Sequence, residues 1–217
     1  MRRIKISIIG KRLFTASQWI ALLYAPLFAQ MSPAEGLHAL VEGNARYMHD
    51  QSLHPNRGQE QRSLVYAQQK PFAVIVGCSD SRAAPEIIFD QGIGDLFVVR
   101  VAGNVIGQLE LDSIDYSALV LGSSVILVMG HENCGAVAAV IEGKTQDIEA
   151  VAKLIEPAVR QTKGKRDQLY WATVENAVRM KNIIQKSPAV QRLIKQGKMA
   201  VHAAYYHLES GQVDLIE

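Results

Sequence analysis

An apolar run that ends abruptly at a cysteine constrains this chain more than any other feature. In the segment PFAVIVGCSDSR (71–82), the five apolar residues Phe72–Val76 predict a strand buried on both faces. Cys78, Asp80 and Arg82 follow in the loop where that strand stops. Open parallel α/β sheets bind their ligands outside the carboxyl ends of the strands, so this loop is the first candidate for a functional site.

A second stretch repeats the arrangement further along the chain. The range Ser124–Met129 predicts another buried strand, and GHENCG (130–135) follows it. The chain has two cysteines, and each lies close behind one of these strands. If the two strands are neighbours in one sheet, Cys78, His131 and Cys134 converge on one point. Cys134 also precedes a predicted helix, whose dipole favours a thiolate at its start.

Strands that alternate with helices predict an α/β fold. We expect a mostly parallel central sheet of about four strands plus an antiparallel edge strand, covered by helices and preceded by an N-terminal helical arm. The predicted strands are Phe72–Val76, Asp95–Val101, Ser124–Met129, Met199–Leu208 and an antiparallel Val213–Ile216. The predicted helices after the arm are Glu60–Gln69, Pro85–Asp90, Leu109–Leu121, Gly135–Glu142 and two or three within 146–163 and 170–197.

The arm begins at a capping box. Ser32 can cap the helix, Pro33 suits its first position and Glu35 completes the box. Apolar residues at helical spacing then continue to about residue 50. Because this helix precedes every predicted strand, it either reaches a partner subunit or covers its own core.

Charge is distributed unevenly between the N-terminal segment and the rest of the chain. Residues 1–29 contain five basic residues and no acidic one, whereas the remainder contains 18 basic and 21 acidic residues. A basic front, an apolar centre and Ala29 before Gln30 have the layout of a secretory signal peptide. We therefore expect a periplasmic or secreted protein, or a cytoplasmic one if translation starts at Met31.

The rest of the chain, 30–217, is expected to be a single domain that includes the arm at 32–50. The apolar centre of the N-terminal segment is short for a membrane span and contains polar residues, so no stable membrane anchor is expected. The body of the chain shows no evident basic cluster and no glycine-rich phosphate loop. These absences argue against a nucleic-acid partner and against a nucleotide enzyme.

Two thiolates and one imidazole form a recognised zinc set. A Cys2His set leaves a fourth position for water, and these soft ligands favour Zn²⁺ over Mg²⁺ or Ca²⁺. Asp80 and Arg82 are two residues apart on one loop and can form a charge-assisted pair. Asp80 can then accept a proton from water on the metal, or it can occupy the fourth position itself and close the site.

Three other interpretations use the same residues. A structural zinc site needs four protein ligands, so it would require Asp80 as the fourth. A disulfide between Cys78 and Cys134 is possible but leaves Asp80, Arg82 and His131 unexplained. A nucleophilic thiol at Cys78 is the weakest of the three, because neither cysteine belongs to a Cys-x-x-Cys pair.

The sequence resembles the β-class carbonic anhydrases over roughly residues 35–217. The resemblance is carried by C-x-D-x-R at 78–82 and H-x-x-C-G at 131–135, with support from FVVRVAGNV (97–105) and VILVMGHENCGA (125–136). It departs from the family at Val101, where an asparagine is usual. The resemblance implies one Zn²⁺ per chain on Cys78, His131 and Cys134, with Asp80 and Arg82 as a catalytic dyad and Asp80 as the fourth ligand in a closed state.

The resemblance also implies the reaction and its partners. We expect reversible hydration of CO2 to bicarbonate and a proton, with zinc-bound hydroxide as the attacking group. Gln69 and Gly135 are expected to contact the substrate, and a homodimer or a tetramer is expected, with the arm reaching across. Two alternatives remain: hydrolysis of a CO2 analogue such as carbon disulfide or carbonyl sulfide, and a non-catalytic zinc protein that responds to bicarbonate.

Overall fold

The computed structural model describes residues 30–216, so the predicted signal peptide at 1–29 lies outside the described residues. One five-stranded sheet has the order β2-β1-β3-β4-β5, in which the first four strands are parallel and β5 is antiparallel to β4. The predicted α/β architecture is confirmed. The strands are β1 (Ala73–Gly77), β2 (Leu96–Arg100), β3 (Val125–His131), β4 (Ala200–Tyr206) and β5 (Val213–Ile216).

Helices cover both faces of this sheet. They are α1 (Pro33–Met48), α2 (Gln59–Leu64), α3 (Pro85–Ile88), α4 (Gln108–Tyr116), α5 (Gly135–Ile141), α6 (Glu149–Gln161), α7 (Gln168–Gln185) and α8 (Pro188–Lys195). Helices α6 to α8 lie on one face, whose buried core includes Val128, Ile155 and Met180. Helix α1 lies on the other, over a core that includes Leu40, Phe89 and Leu127.

The two central strands are buried at every residue, as their continuous apolar sequences predict. β1 pairs with β3 from Ala73↔Val125 to Val76↔Val128, so the two strands end at the same edge of the sheet. β3 extends two residues beyond its predicted end, because its pairing with β4 continues to His131↔Tyr206. His131 is therefore the last residue of a strand, which holds its backbone firmly.

Helix α1 covers the core of its own chain. Its capping box is formed, with Ser32 Oγ accepting the Glu35 amide and the Glu35 carboxylate accepting the Ser32 amide. Its close approach requires glycine at Gly43, where a Cβ would lie 1.8 Å from the carbonyl oxygen of Phe89. Any further contact between this helix and a partner subunit stays a prediction.

Two helix ends differ from the sequence-based expectation by five residues. α2 ends at Leu64 rather than near Gln69, because residues 66–70 are all exposed and bury no apolar face that would stabilise a further turn. The helix predicted through Leu121 is α-helical only to Tyr116 and continues as a π-helical turn over Ser117–Leu121. Within residues 30–216, no helix is both long and apolar enough to cross a membrane.

Candidate metal centre and its surroundings

Three buried ligand atoms meet at the carboxyl edge of the sheet. Cys78 follows β1, His131 ends β3, and Cys134 precedes the first residue of α5. Because β1 and β3 are neighbours, the two sulfur atoms and an imidazole nitrogen lie within 4.8 Å of one another. The predicted convergence is confirmed, and all three side chains are at most 5% exposed.

The imidazole of His131 is oriented by its own loop. Its Nδ1 lies 2.8 Å from the carbonyl oxygen of Glu132, which can only accept, so Nδ1 carries the proton. Nε2 then presents a lone pair toward the cysteines, and it is buried with no hydrogen-bond partner among the described residues. A buried polar atom without a partner is costly, and a cation at this point would satisfy it. The donor set therefore fits a metal ion such as Zn²⁺.

The environment of Cys78 favours its thiolate. The backbone amides of Gly103 and Asp80 approach its Sγ at 3.2 and 3.4 Å. The interaction with Cys134 foremost, together with these amides, lowers the pKa of the Cys78 thiol. The same interaction with Cys78, together with burial, raises the pKa of Cys134. The thiolate favoured at Cys78 is the form in which a cysteine binds a metal ion.

Asp80 and Arg82 form the predicted pair. Arg82 Nε donates to Asp80 Oδ1 at 2.9 Å and Nη2 donates to Oδ2 at 2.8 Å, in a two-pronged arrangement. The Arg82 side chain holds the pKa of the Asp80 carboxyl well below its usual range. Asp80 Oδ2 is 3.8 Å from His131 Nε2. The carboxylate thus stands beside the three candidate ligands, ionised and held by Arg82.

Arg100 hydrogen-bonds to the backbone of the loop that carries Cys78 and Asp80. Its Nε donates to the carbonyl of Cys78 at 2.8 Å and its Nη2 to the carbonyl of Asp80 at 2.6 Å. On the other side, Asn176 of α7 donates to the carbonyl of Gly103 at 2.7 Å, next to the amide that approaches Cys78. No sequence signal marks these residues, because a strand-end arginine and a helical asparagine carry no spacing that points to a site.

Gly135 lies beside the three candidate ligands, whereas Gln69 lies far from them. Gly135 is exposed beside Cys134, and a Cβ on it would meet nothing within 4 Å, so this position faces open space. Gln69 is exposed ahead of β1, at the amino edge of the sheet, whereas the cluster lies at the carboxyl edge. A five-residue strand spans about 16 Å, so one chain does not bring Gln69 to its own cluster.

Comparisons with known proteins agree with this geometry. A family model described as carbonic anhydrase matches residues 73–213. A carbonic anhydrase of Mycolicibacterium smegmatis is 37% identical over 193 residues, which cover 85% of this chain and 93% of the relative. Carbonic anhydrase 2 of Mycobacterium tuberculosis is 38% identical over 194 residues, with 85% and 93% covered.

The fold agrees as well. A solved structure of a Coccomyxa β-carbonic anhydrase in complex with acetazolamide superposes with a TM-score of 0.66 at 26% identity. The superposition covers 83% of this chain and 86% of the Coccomyxa chain. With the sequence matches and the fold in agreement, the chain belongs to the β-class carbonic anhydrases.

Proposed function

We propose that this chain catalyses the reversible hydration of CO2 to bicarbonate and a proton, with one Zn²⁺ held by Cys78, His131 and Cys134. Relatives of 37% and 38% identity that are named carbonic anhydrases support the activity. The observation that carries the metal assignment is the buried, unpartnered Nε2 of His131, which faces two cysteines. When bound, zinc supplies the Lewis acidity that makes water a nucleophile near neutral pH.

In this proposal Asp80 acts as a fixed hydrogen-bond acceptor. Its carboxylate stays ionised because two N–H groups of the Arg82 side chain and the Arg82 backbone amide donate to it. An ionised carboxylate beside the three ligands can take a hydrogen bond or a proton from attacking water and so orient it. The side chain of Asp80 is 17% exposed, which leaves the proton a route to solvent.

The remaining residues hold the ligands. The carbonyl of Glu132 sets the ring of His131, and Gly103 N–H supports Cys78. The hydrogen bond to Cys78 and burial raise the pKa of Cys134, and the backbone amides of Val137 and Ala136, in the first turn of α5, partly oppose that rise. Gly135 leaves room for a small substrate beside the cluster. No contact in the described residues favours a CO2 analogue or a purely regulatory role over this reaction.

Stopped-flow CO2 hydration by the zinc-loaded protein tests the proposal, with Asp80→Asn as the variant. We expect activity in the native chain and a loss of at least about 100-fold in the variant, since general acid–base groups contribute on that order. Asp147→Asn, at an exposed position outside the site, is the matched control and should keep full activity. A protein that binds zinc stoichiometrically but hydrates no CO2 between pH 6.5 and 9 would overturn the proposal.

We further propose a homodimer or tetramer. Two exposed apolar residues, Tyr116 and Val120, lie where the segment before β1 meets the π-helical turn. Gln69 lies in this surface, so it contacts substrate only if the surface meets the carboxyl edge of a second copy. Multi-angle light scattering should give a multiple of the 23.9 kDa chain mass, less any cleaved segment. A monomer would contradict this.

Export remains a separate proposal, supported by the basic and apolar layout of residues 1–29 alone. A periplasmic or secreted protein should begin near Gln30 after cleavage, and intact-mass spectrometry of natively produced protein measures this. A first residue at Met31 would instead support a cytoplasmic protein, and one at Met1 would show that the segment is retained.

A further inference from the structure

A cluster of exposed cations lies at the end of the molecule opposite the candidate metal centre. Between Glu175 and Glu209 the chain contains six basic residues and no acidic one. Four of them are exposed on α8 and its flanking turns, namely Lys186, Arg192, Lys195 and Lys198, which we call the α8 cation cluster. At least two residues separate each from the next, so no run of basic residues marks them along the sequence.

Helix α8 presents these charges on a fixed surface. Its inward side buries Ala189 and Val190 in the core, and Arg192 and Lys195, one turn apart, face solvent. The amide of Lys198 donates to the carbonyl of Leu193 at 2.9 Å, which folds the following turn back against the helix. The cations therefore occupy one short, ordered segment.

Charge within the α8 cation cluster is not neutralised locally. Within residues 30–216, none of its four members makes an ion pair with a carboxylate. Asp115 approaches this end of the molecule, but both its oxygens accept the hydroxyl of Ser187, at 2.8 and 2.9 Å. The cluster thus offers several free positive charges to an anionic partner.

The shape and composition of the surface favour one class of partner. Its central element is an outward-facing helix, and residues 186–199 contain no aromatic side chain on which bases could stack. Ile194 is 37% exposed between Arg192 and Lys195. Cations around an exposed aliphatic side chain on a surface helix are typical of a peripheral contact with anionic lipid headgroups.

We propose that the α8 cation cluster is a docking surface for an anionic phospholipid bilayer. The segment 186–198 precedes β4 and lies at the amino edge of the sheet, whereas the cluster of Cys78, His131 and Cys134 lies at the carboxyl edge. Docking by α8 leaves the carboxyl edge facing away from the lipid. Bound protein therefore keeps its site open to solvent, and the inference does not depend on which reaction the site performs.

Vesicle co-sedimentation of the full chain tests this, with phosphatidylglycerol/phosphatidylcholine vesicles against pure phosphatidylcholine. Because residues 1–29 also carry five basic residues, the comparison is between variants of the same chain. Arg192→Glu with Lys195→Glu should lower the partition coefficient on phosphatidylglycerol vesicles by about tenfold or more, since each basic residue near such a surface contributes several-fold. Binding should also weaken as salt is raised.

The matched control is Lys163→Glu with Arg166→Glu, which makes the same charge change in the exposed loop before α7, at the carboxyl edge. It should bind vesicles as the native chain does. Equal losses in both double variants, no loss in the α8 variant, or equal binding to neutral vesicles would each overturn the proposal. Duplex DNA that binds with the same dependence on Arg192 and Lys195 would also overturn it, in favour of a general polyanion site.

Circular dichroism and zinc content establish that the variants are folded. Arg192→Gln with Lys195→Gln, which removes the charges without reversing them, should give an intermediate loss of binding. Both α8 variants should retain the solution activity of the native chain, because neither side chain touches the candidate metal centre. Failure of the α8 prediction therefore leaves the proposed reaction untouched.

Discussion

A single arginine sets the state of the carboxylate at the candidate metal centre. Two N–H groups of the Arg82 side chain face the two oxygens of Asp80, and one of the same nitrogens lies 3.4 Å from the carbonyl of Asn133. This geometry turns Asp80 toward Arg82, although its Oδ2 lies only 3.8 Å from His131 Nε2. The position of Asp80, and with it access to the fourth ligand position, depends on that pair.

Replacing Arg82 with glutamine should raise the pKa of Asp80 toward its ordinary value, because hydrogen bonds from Arg82 are the main cause of its low value. CO2 hydration should fall about tenfold to 100-fold, since the carboxylate is no longer held in place. A pH–rate profile of the zinc-loaded variant, with ¹³C NMR titration of labelled aspartate, measures both effects. Arg166→Gln, at a 97% exposed arginine, should change neither.

The sign of the stability effect follows from the direction of the shift. The folded-state pKa of Asp80 lies below its unfolded value, so the pair stabilises the fold above the unfolded pKa. That contribution disappears as the pH falls through the folded-state pKa. Arg82→Gln should therefore be less stable than the native chain at neutral pH and equally stable in strong acid. An equal difference at both pH values would contradict this account.

At the scale of elements, the strands could be predicted more reliably than the contacts between them. The buried strands β1 and β3 follow from continuous apolar runs, and the antiparallel β5 follows from the turn before it. That β1 lies beside β3 is a long-range pairing, which local patterns do not contain, so the convergence of Cys78 with His131 could be stated only conditionally. The amide of Gly103 that supports Cys78 likewise depends on packing against α6 and α7.

Gly103 lies against α5, α6 and α7, at a point where a side chain does not fit. Its φ is +67°, and a Cβ would lie 2.6 Å from Ile155 Cδ1. Gly103→Ala should lower the free energy of unfolding by about 3 kcal/mol through backbone strain and overlap. It should also weaken zinc binding, because the amide 3.2 Å from Cys78 Sγ must move. Denaturant unfolding and competition with a chromophoric chelator measure the two effects.

Gly143 provides the matched control for Gly103. Its φ is +69°, and a Cβ there would meet nothing within 4 Å. Gly143→Ala should lower the free energy of unfolding by only about 1 kcal/mol, the cost of left-handed backbone for a residue with a Cβ, and should leave zinc affinity unchanged. If the two variants lost stability and zinc affinity equally, packing around Gly103 would have no special part in holding Cys78.

Helix α1 is attached to the sheet edge by one buried asparagine. Asn44 Nδ2 donates to the carbonyls of Ile88 (3.2 Å) and Gly211 (2.8 Å), and its Oδ1 accepts the amide of Val213 at 2.9 Å. Asn44→Ala should destabilise the fold by about 2 kcal/mol, because these backbone groups lose their partner. Asn182→Ala, at an exposed helical position, should stay within about 0.5 kcal/mol of the native chain. Thermal and denaturant unfolding distinguish the two.

At the scale of the whole molecule, the candidate metal centre brings together residues from distant parts of the chain. Its candidate ligands come from the loop after β1, the end of β3 and the start of α5, so a bound cation would link segments that are far apart in the sequence. In the unfolded chain these ligands are dispersed and the site does not exist. Binding free energy therefore adds to folding free energy, and stability should depend on the free zinc concentration.

Free zinc at about 100 times Kd should stabilise the fold by about 2.7 kcal/mol, and a strong chelator should remove that increment. Calorimetry at several buffered zinc concentrations should show Tm rising with zinc. His131→Ala should lose most of the zinc-dependent rise, because it removes the buried Nε2 that faces the cysteines. His38→Ala, on the exposed surface of α1, should keep it. A Tm that does not change with zinc would show that the three side chains meet without holding a metal.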